Sequence, residues 1–337
     1  MKVITFEKSS HFGRIIKTGV FFNESTIFDP QNIWQLYFEK QGFYNARQRA
    51  ENKMPHSLAK YLKTAESPID LLLETKELFI KYYSQGDLST YDKSSLAFDL
   101  KDNGDIKILC PLDSINCYRD FYTHEKHVKT SFAKRGEEIP APWFEIPAYY
   151  KGPTTGFIGQ DSIVPWPNYT EKLDYELELA CVIGRDGKNI KEEEALKHVF
   201  GFTILNDISA RDIQKKEMAI RLGPAKGKDF CSVLGPVITT MDEFNFKEPS
   251  LEMKAYINDE LWSSGKSSDA HYSWAQMIAH ASNEEWLLST DVLGSGTVGT
   301  GCGLELDRWI QPGDKIILEI EGIGSLKNII GTPNGKF

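Results

Sequence analysis

The sequence predicts an α+β protein that is mainly β, and three observations support this. Beyond about residue 113, short apolar runs alternate with Gly and Pro turns, the texture of an irregular sheet domain with helices on one side. Before that point the longest apolar periodicities are helical. Residues 173–183 alternate acidic and apolar side chains with the two-residue period of a strand.

The chain opens on strand-like stretches at residues 2–6 and 19–22. Residues 32–44 place Ile33, Leu36, Tyr37 and Phe38 at helical spacing, and residues 69–83 do the same with Leu72, Leu73, Leu78, Phe79 and Tyr82. The polar stretch 47–67 between them fits a solvated helical hairpin. No constellation of chemical groups stands out here. Residues 1–112 are therefore expected to form a smaller N-terminal α/β domain with a packing or dimer-supporting role. Residues 107–112 read as a strand stopped by Pro111, which places the boundary there. In residues 113–337, strands are expected at 173–183, 199–205, 232–239, 251–257 and 315–320, and helices at 191–198, 210–221 and 273–289.

Length and composition narrow the function. The 337 residues suffice for one large domain or two moderate ones. With 41% apolar and 26% charged residues, the chain has the composition of an ordinary soluble protein. A net charge of -9 leaves no basic excess to displace counterions from nucleic acid. Local Arg and Lys can still build a pocket for a small anion. No apolar run approaches the roughly 18 residues of a membrane span, and the first residues lack the apolar segment of a signal peptide. The five cysteines, Cys110, Cys117, Cys181, Cys231 and Cys302, show neither CxxC pairing nor zinc spacing. They fit reduced thiols in a cytoplasmic protein.

Three segments carry chemistry. In residues 173–183, Asp174, Glu176 and Glu178 share one strand face, and that face continues as Ala180 and Val182. Carboxylates thus run into an apolar interior, where like charges are costly. A hard cation such as Mg²⁺ or Ca²⁺ removes that cost; an edge strand with a solvated acidic face is the alternative. In residues 200–214 an apolar run ends at Asn206-Asp207 and a helix begins. Asp207, Arg211 and Gln214 then fall on one face, suited to metal and oxyanion binding, or to an N-cap with a surface ion pair. Residues 117–127 hold Asp120, two tyrosines and two histidines, and His127 is a candidate general base. Lys228 is either one of a solvated lysine pair or turned inward by the strand that follows.

Together these segments resemble the fumarylacetoacetate hydrolase family. The matching pieces are Arg119-Asp120-Phe121-Tyr122 followed by His127, Leu173-Asp174-Tyr175-Glu176-Leu177-Glu178, Asn206-Asp207 through Arg211 to Gln214, Leu222-Gly223-Pro224, Gly227-Lys228-Asp229-Phe230, Gly294-Ser295-Gly296-Thr297 and Pro312-Gly313-Asp314. They span about residues 117–331. The resemblance implies a mixed β-roll catalytic domain, commonly homodimeric, and a divalent metal: Mg²⁺, or else Ca²⁺ or Mn²⁺. Its ligands would be Glu176, Glu178 and Asp207, with Asp120 as the fourth carboxylate. His127 matches the family's catalytic histidine and Glu305 the acid that orients it. Arg211, Gln214 and Lys228 match groups that bind substrate or stabilise developing negative charge, and Tyr122, Arg135 and Thr297 match substrate contacts.

The implied activity is metal-dependent hydrolysis of a C–C bond in a small 2,4-dioxo acid, of fumarylacetoacetate or acylpyruvate type, as in aromatic amino acid catabolism. Decarboxylation, hydration or isomerisation of an oxo-acid on the same fold is the alternative, and a non-catalytic metal-binding protein is a remote one. Residues 121–140, charged and poor in apolar groups, are expected to form a mobile lid. The chain departs from the family at Met218, where a substrate-contacting tyrosine is expected after Glu217, which leaves the acyl end of the pocket undefined.

Overall fold

The computed structural model describes residues 1–10, 13–85, 96–100, 106–333 and 335. Its centre is the acidic strand itself, whose regular part is Leu177–Ile183 and is buried along its whole length. It pairs antiparallel with Val199–Asn206 on one side and Val292–Gly294 on the other. Beyond Val292–Gly294 lie Tyr118–Phe121, paired parallel, and Tyr149–Gly152. Beyond Val199–Asn206 lie Ser232–Thr240, Lys2–Ser10, Gly13–Phe21, Thr26–Phe28 and Ala97–Asp99, in that order. Ile106–Ile108 pairs with Lys2–Ser10 and Phe157–Ile158 with Ser232–Thr240, so this mixed sheet has twelve strands among the described residues. The sheet runs unbroken past residue 112, through Lys2 opposite Thr239 and Val3 opposite Ile238. A second sheet of five strands orders Glu260–Lys266, Glu252–Ile257, Lys315–Ile320, Gly324–Ile330 and Ile163–Val164.

The alternation along the acidic strand explains how it is enclosed. Leu177, Leu179, Cys181 and Ile183 share one core with Met253, Leu318 and Trp274. Ala180 and Val182 share another with Trp34, Tyr61 and Phe79 of the N-terminal helices. Burying a side chain of this size contributes about 1.5–3 kcal/mol, so the helical layer is integral to the strand that carries the acids.

The helices follow local rules where the chain supplies them. Asp29 caps Pro30–Lys40 by accepting from the Gln31 and Asn32 amides, with Pro30 in the first turn. That helix stops before residue 44 because Gly42 takes a left-handed φ of 79°. The stretch expected as a solvated hairpin divides in two. Ala46–Lys53 buries only Ala46 and Ala50, but Leu58–Thr64 turns Leu58, Tyr61 and Leu62 fully inward. The helix expected at 273–289 is Trp274–Ser282, fixed by a Ser273–Gln276 capping box. It ends where Asn283 becomes extended and Glu284 adopts a φ of 56°. Trp286–Leu287 then forms a strand with Gly187–Lys188. The expected lid contains a helix, Glu125–Ala133, whose inner face buries His127, Val128 and Ser131. No described helix is long and apolar enough to cross a membrane.

Candidate active site

Sheet register gathers the acids. Asp120 lies opposite Gly294, Gly294 opposite Ala180, and Glu178 opposite Leu205, two residues before Asp207. Gly294 leaves the room they need: a Cβ there would lie 2.3 Å from Asp120 Oδ1 and 3.0 Å from Glu178 Oε2. Asp120, Glu176, Glu178 and Asp207 are all buried, and one oxygen from each lies within 4.8 Å of the others. Burial, reinforced by Asp207, pushes the Asp120 carboxyl well above the usual range. Burial, then Asp120 and Glu176, does the same to Glu178.

Two cations offset part of this repulsion. Lys228 donates through Nζ to Glu176 Oε2 and Asp207 Oδ2. Arg211 donates to Asp174 Oδ2 at 2.8 Å, Glu176 Oε1 at 2.7 Å and Gln214 Oε1 at 2.9 Å. Against the cost of burial, Lys228 and Arg211 hold Glu176 below the usual carboxylate range. The cluster still carries more negative than positive groups, and Asp120 Oδ1 is buried without a hydrogen-bond partner. A divalent cation fits both facts, and a donor set made only of oxygens suits a hard ion. Gly294→Ala should weaken Mg²⁺ binding by about 10- to 100-fold, because the Asp120 carboxylate must move. Calorimetric titration of the variant measures this, and an unchanged Kd would show that the cluster has slack.

A buried imidazole–carboxylate pair lies alongside. His127 Nδ1 and Glu305 Oε2 are 2.8 Å apart. Glu305 sits in the short helix Gly303–Leu306, whose Gly303 and Leu304 amides donate to Asp174 at 2.7 and 3.0 Å. The same Asp174 that holds Arg211 therefore also anchors the dyad. Although burial opposes it, the hydrogen bond to His127 keeps Glu305 below the usual range. A carboxylate at Nδ1 assigns the proton of neutral His127 to that nitrogen and leaves Nε2 free to accept one. Cys302 also touches the pair, with Sγ 3.5 Å from Glu305 Oε2.

The remaining predicted residues divide. Thr297 Oγ1 donates to Glu178 Oε1 at 3.3 Å, and the Tyr122 ring meets His127 edge-on with centroids 5.4 Å apart. Arg135 is exposed, pairs with Glu137 at 3.3 Å and covers the Phe132 ring, while its charge reaches the Tyr122 hydroxyl. Three further residues of the site went unassigned in the sequence. Asp174 is one, although it shares the acidic pattern. Tyr150 is another; its hydroxyl donates to Asp207 Oδ2 at 2.8 Å from a four-residue strand with no pattern to betray it. The third is Glu217, which accepts from the Ala225, Lys226 and Gly227 amides at 2.9, 2.7 and 3.1 Å and so shapes the loop that delivers Lys228. Glu217→Ala should lower kcat/KM about tenfold, equivalent to about 1.4 kcal/mol, with a small change in Tm. Wild-type kinetics would show that the loop keeps its shape without the carboxylate.

Fold and site together describe a carboxylate cluster able to hold a hard cation beside a buried imidazole–carboxylate pair. Residues 116–330 match the family model described as fumarylacetoacetate (FAA) hydrolase C-terminal. The chain belongs to the fumarylacetoacetate hydrolase family, and the mixed β architecture above is that family's fold. It is 36% identical over 208 residues to oxaloacetate tautomerase YisK of Bacillus subtilis (strain 168), covering 61% of this chain and 67% of the relative. It is 31% identical over 301 residues to a fumarylacetoacetase of Oryza sativa subsp. japonica, covering 69% of this chain and 70% of the relative. A solved structure of fumarylpyruvate hydrolase from Pseudomonas aeruginosa in complex with Mn²⁺ and pyruvate matches with a TM-score of 0.57 at 20% identity, over 67% of this chain and 91% of that one.

Proposed function

We propose that this protein hydrolyses a C–C bond in a small 2,4-dioxo acid, with Mg²⁺ as the natural metal and Mn²⁺ or Ca²⁺ as substitutes. The observation that carries the reading is the His127–Glu305 pair beside the carboxylate cluster, an oriented base of the kind that water activation requires. Asp120, Glu176, Glu178 and Asp207 would hold the metal. When bound, it supplies a Lewis acid and a template for the oxygens of the oxo-acid.

His127 Nε2 takes a proton from water, and Glu305 stabilises the imidazolium that forms. The water oxygen adds to the distal carbonyl carbon. Arg211, Gln214 and Lys228 supply the positive field and donors that stabilise the oxyanion. The C–C bond then breaks. One fragment leaves as a carboxylic acid, and the other as an enolate that regains its proton from His127.

A second reading, isomerisation of an oxo-acid between keto and enol forms, is favoured by the likeness to the Bacillus tautomerase. There His127 would move a proton between carbon and oxygen without adding water. The deciding experiment treats metal-stripped and Mg²⁺-reloaded protein with acylpyruvates, fumarylacetoacetate and oxaloacetate. Metal-dependent loss of the dione absorbance, with two product acids, supports hydrolysis. Keto–enol conversion of oxaloacetate without cleavage of any dione overturns it in favour of isomerisation.

A further inference from the structure

Beside the dyad lies a donor that the reaction above does not use. Cys302 is fully buried, with Sγ 3.5 Å from Glu305 Oε2 and 3.9 Å from His127 Nδ1. One nitrogen, one sulfur and one oxygen from these three residues all lie within 4.8 Å of one another. That span accommodates an ion bonded to each donor at about 2.0–2.3 Å. The donor set also differs in kind from the four-carboxylate cluster. Imidazole and thiolate select borderline and soft ions, whereas carboxylates alone select hard ones.

The chain builds this trio rigidly. Cys302 is the N-cap of Gly303–Leu306, which carries Glu305, and that helix packs on Glu125–Ala133, which carries His127. A second observation, next to the trio, points the same way. His124 is only 1% exposed, and neither of its ring nitrogens has a hydrogen-bond partner. It stands close enough to His127 and Glu305 to sense both charges. Burial first, then His127, lowers its pKa to about 3, so it is a neutral imidazole with a free lone pair. Buried polar groups are nearly always satisfied, so two orphaned nitrogens next to the trio mark a pocket short of a polar partner, which a water bound to the ion would supply.

We propose that His127, Cys302 and Glu305 form a second, inhibitory metal site for a thiophilic ion of the Zn²⁺ or Cd²⁺ class, with a water as fourth ligand. On binding, the Cys302 thiol proton passes to solvent and a sulfur–metal bond forms. Nδ1 of His127 gives its lone pair to the ion. The imidazole stays neutral, so its one proton now resides on Nε2. Glu305 ceases to accept from Nδ1 and becomes a ligand. One thiolate and one carboxylate neutralise the doubly charged ion. The resulting tautomer is the reverse of the one that catalysis requires, because Nε2 can no longer take a proton from water. The site itself follows from the donors; its inhibitory effect rests on His127 being the base proposed above.

The test adds Cd²⁺ to enzyme saturated with Mg²⁺. One equivalent should produce the ultraviolet band of a cadmium–thiolate bond and stop most turnover, and further Mg²⁺ should not relieve it. Cys302→Ser should abolish the band and raise the inhibitory Cd²⁺ concentration by at least about tenfold, the loss that removing even an outer partner of a metal ligand brings. Glu305→Gln keeps the thiol and should shift the titration midpoint of the band upward, which covers the case in which Cys302→Ser does not fold. Absence of the band overturns the site, as does a band that survives Cys302→Ser. Inhibition that excess Mg²⁺ reverses places Cd²⁺ at the carboxylate cluster and overturns it too. A band that behaves as expected without inhibition overturns the inhibitory role and counts against His127 as the base, so the two readings fail separately.

Discussion

His127→Ala should lower kcat of the proposed C–C cleavage by about 10²–10⁴-fold, the range expected when a positioned general base is lost. KM should change little, because His127 makes its contribution as charge develops rather than as substrate binds. The Mg²⁺ affinity should also hold, since the four carboxylates and their cations Lys228 and Arg211 do not depend on the imidazole for their hydrogen bonds. Steady-state kinetics together with a metal titration separate these quantities. Undiminished turnover would remove His127 from water activation. An equal loss in kcat and in metal affinity would point to a collapsed site rather than a missing base. Glu305→Gln offers the finer control. It leaves His127 in place but removes the charge that supports the imidazolium, so it should also lose kcat with metal binding intact.

Lys228→Met should have the largest effect on stability, most of it seen when metal is absent. Lys228 is 4% exposed and bridges Glu176 and Asp207, both buried. Removing one partner of a buried ion pair costs about 3–5 kcal/mol, because the other charge is left uncompensated. Here a single cation serves two carboxylates, in a cluster where Asp120 and Glu178 already resist ionisation. Saturating Mg²⁺ supplies a replacement positive charge and adds binding energy to the folded state alone. The difference in denaturation midpoint between variant and wild type should therefore be large after chelation and much smaller with Mg²⁺. A metal-independent difference would mean that Lys228 is held chiefly by packing. No difference at all would mean that Glu176 and Asp207 shed their charge without cost.

How much of this was legible in the sequence varies from residue to residue. Glu176 and Glu178 were readable because a strand's alternation survives in any window of a few residues. The interruption of that strand between Asp174 and Leu177 was not. Its causes are remote: Asp174 pairs with Ser209, Glu176 bridges to Cys302, and the Glu176 amide donates to Asn206 Oδ1 at 2.9 Å. The same contrast explains the helix that ends at Ser282. Trp286 and Leu287 extend the apolar period, yet Gly187–Lys188 recruits them into a strand. Leu58–Thr64 reads as polar because lysines flank its buried residues. Only the surrounding layer, with Trp34 Nε1 donating to Thr75 Oγ1 at 2.8 Å, makes an interior there. The pairing of His127 with Glu305, 178 positions apart, came from family resemblance and from no local rule. Tyr150 and Glu217 act on atoms brought near by the fold, and their neighbours in sequence carry no trace of it.

The continuity of the large sheet has a consequence for how the chain is made. The N-terminal strand Lys2–Ser10 closes its hairpin with Gly13–Phe21 at once, but its first residues must wait for Ser232–Thr240. The bond between Thr240 Oγ1 and the Met1 carbonyl spans 239 positions. At roughly 5–20 residues per second, translation alone imposes a delay on the order of 10–50 s before that partner leaves the ribosome. Ile106–Ile108 covers Phe6–Lys8 earlier, but through the rest of this interval the first residues of the hairpin present an open edge, the kind of surface on which nascent chains pair with one another. Pairings this remote also slow refolding from denaturant. Yield during synthesis should thus depend on chaperone supply and temperature more than the stability of the finished protein suggests.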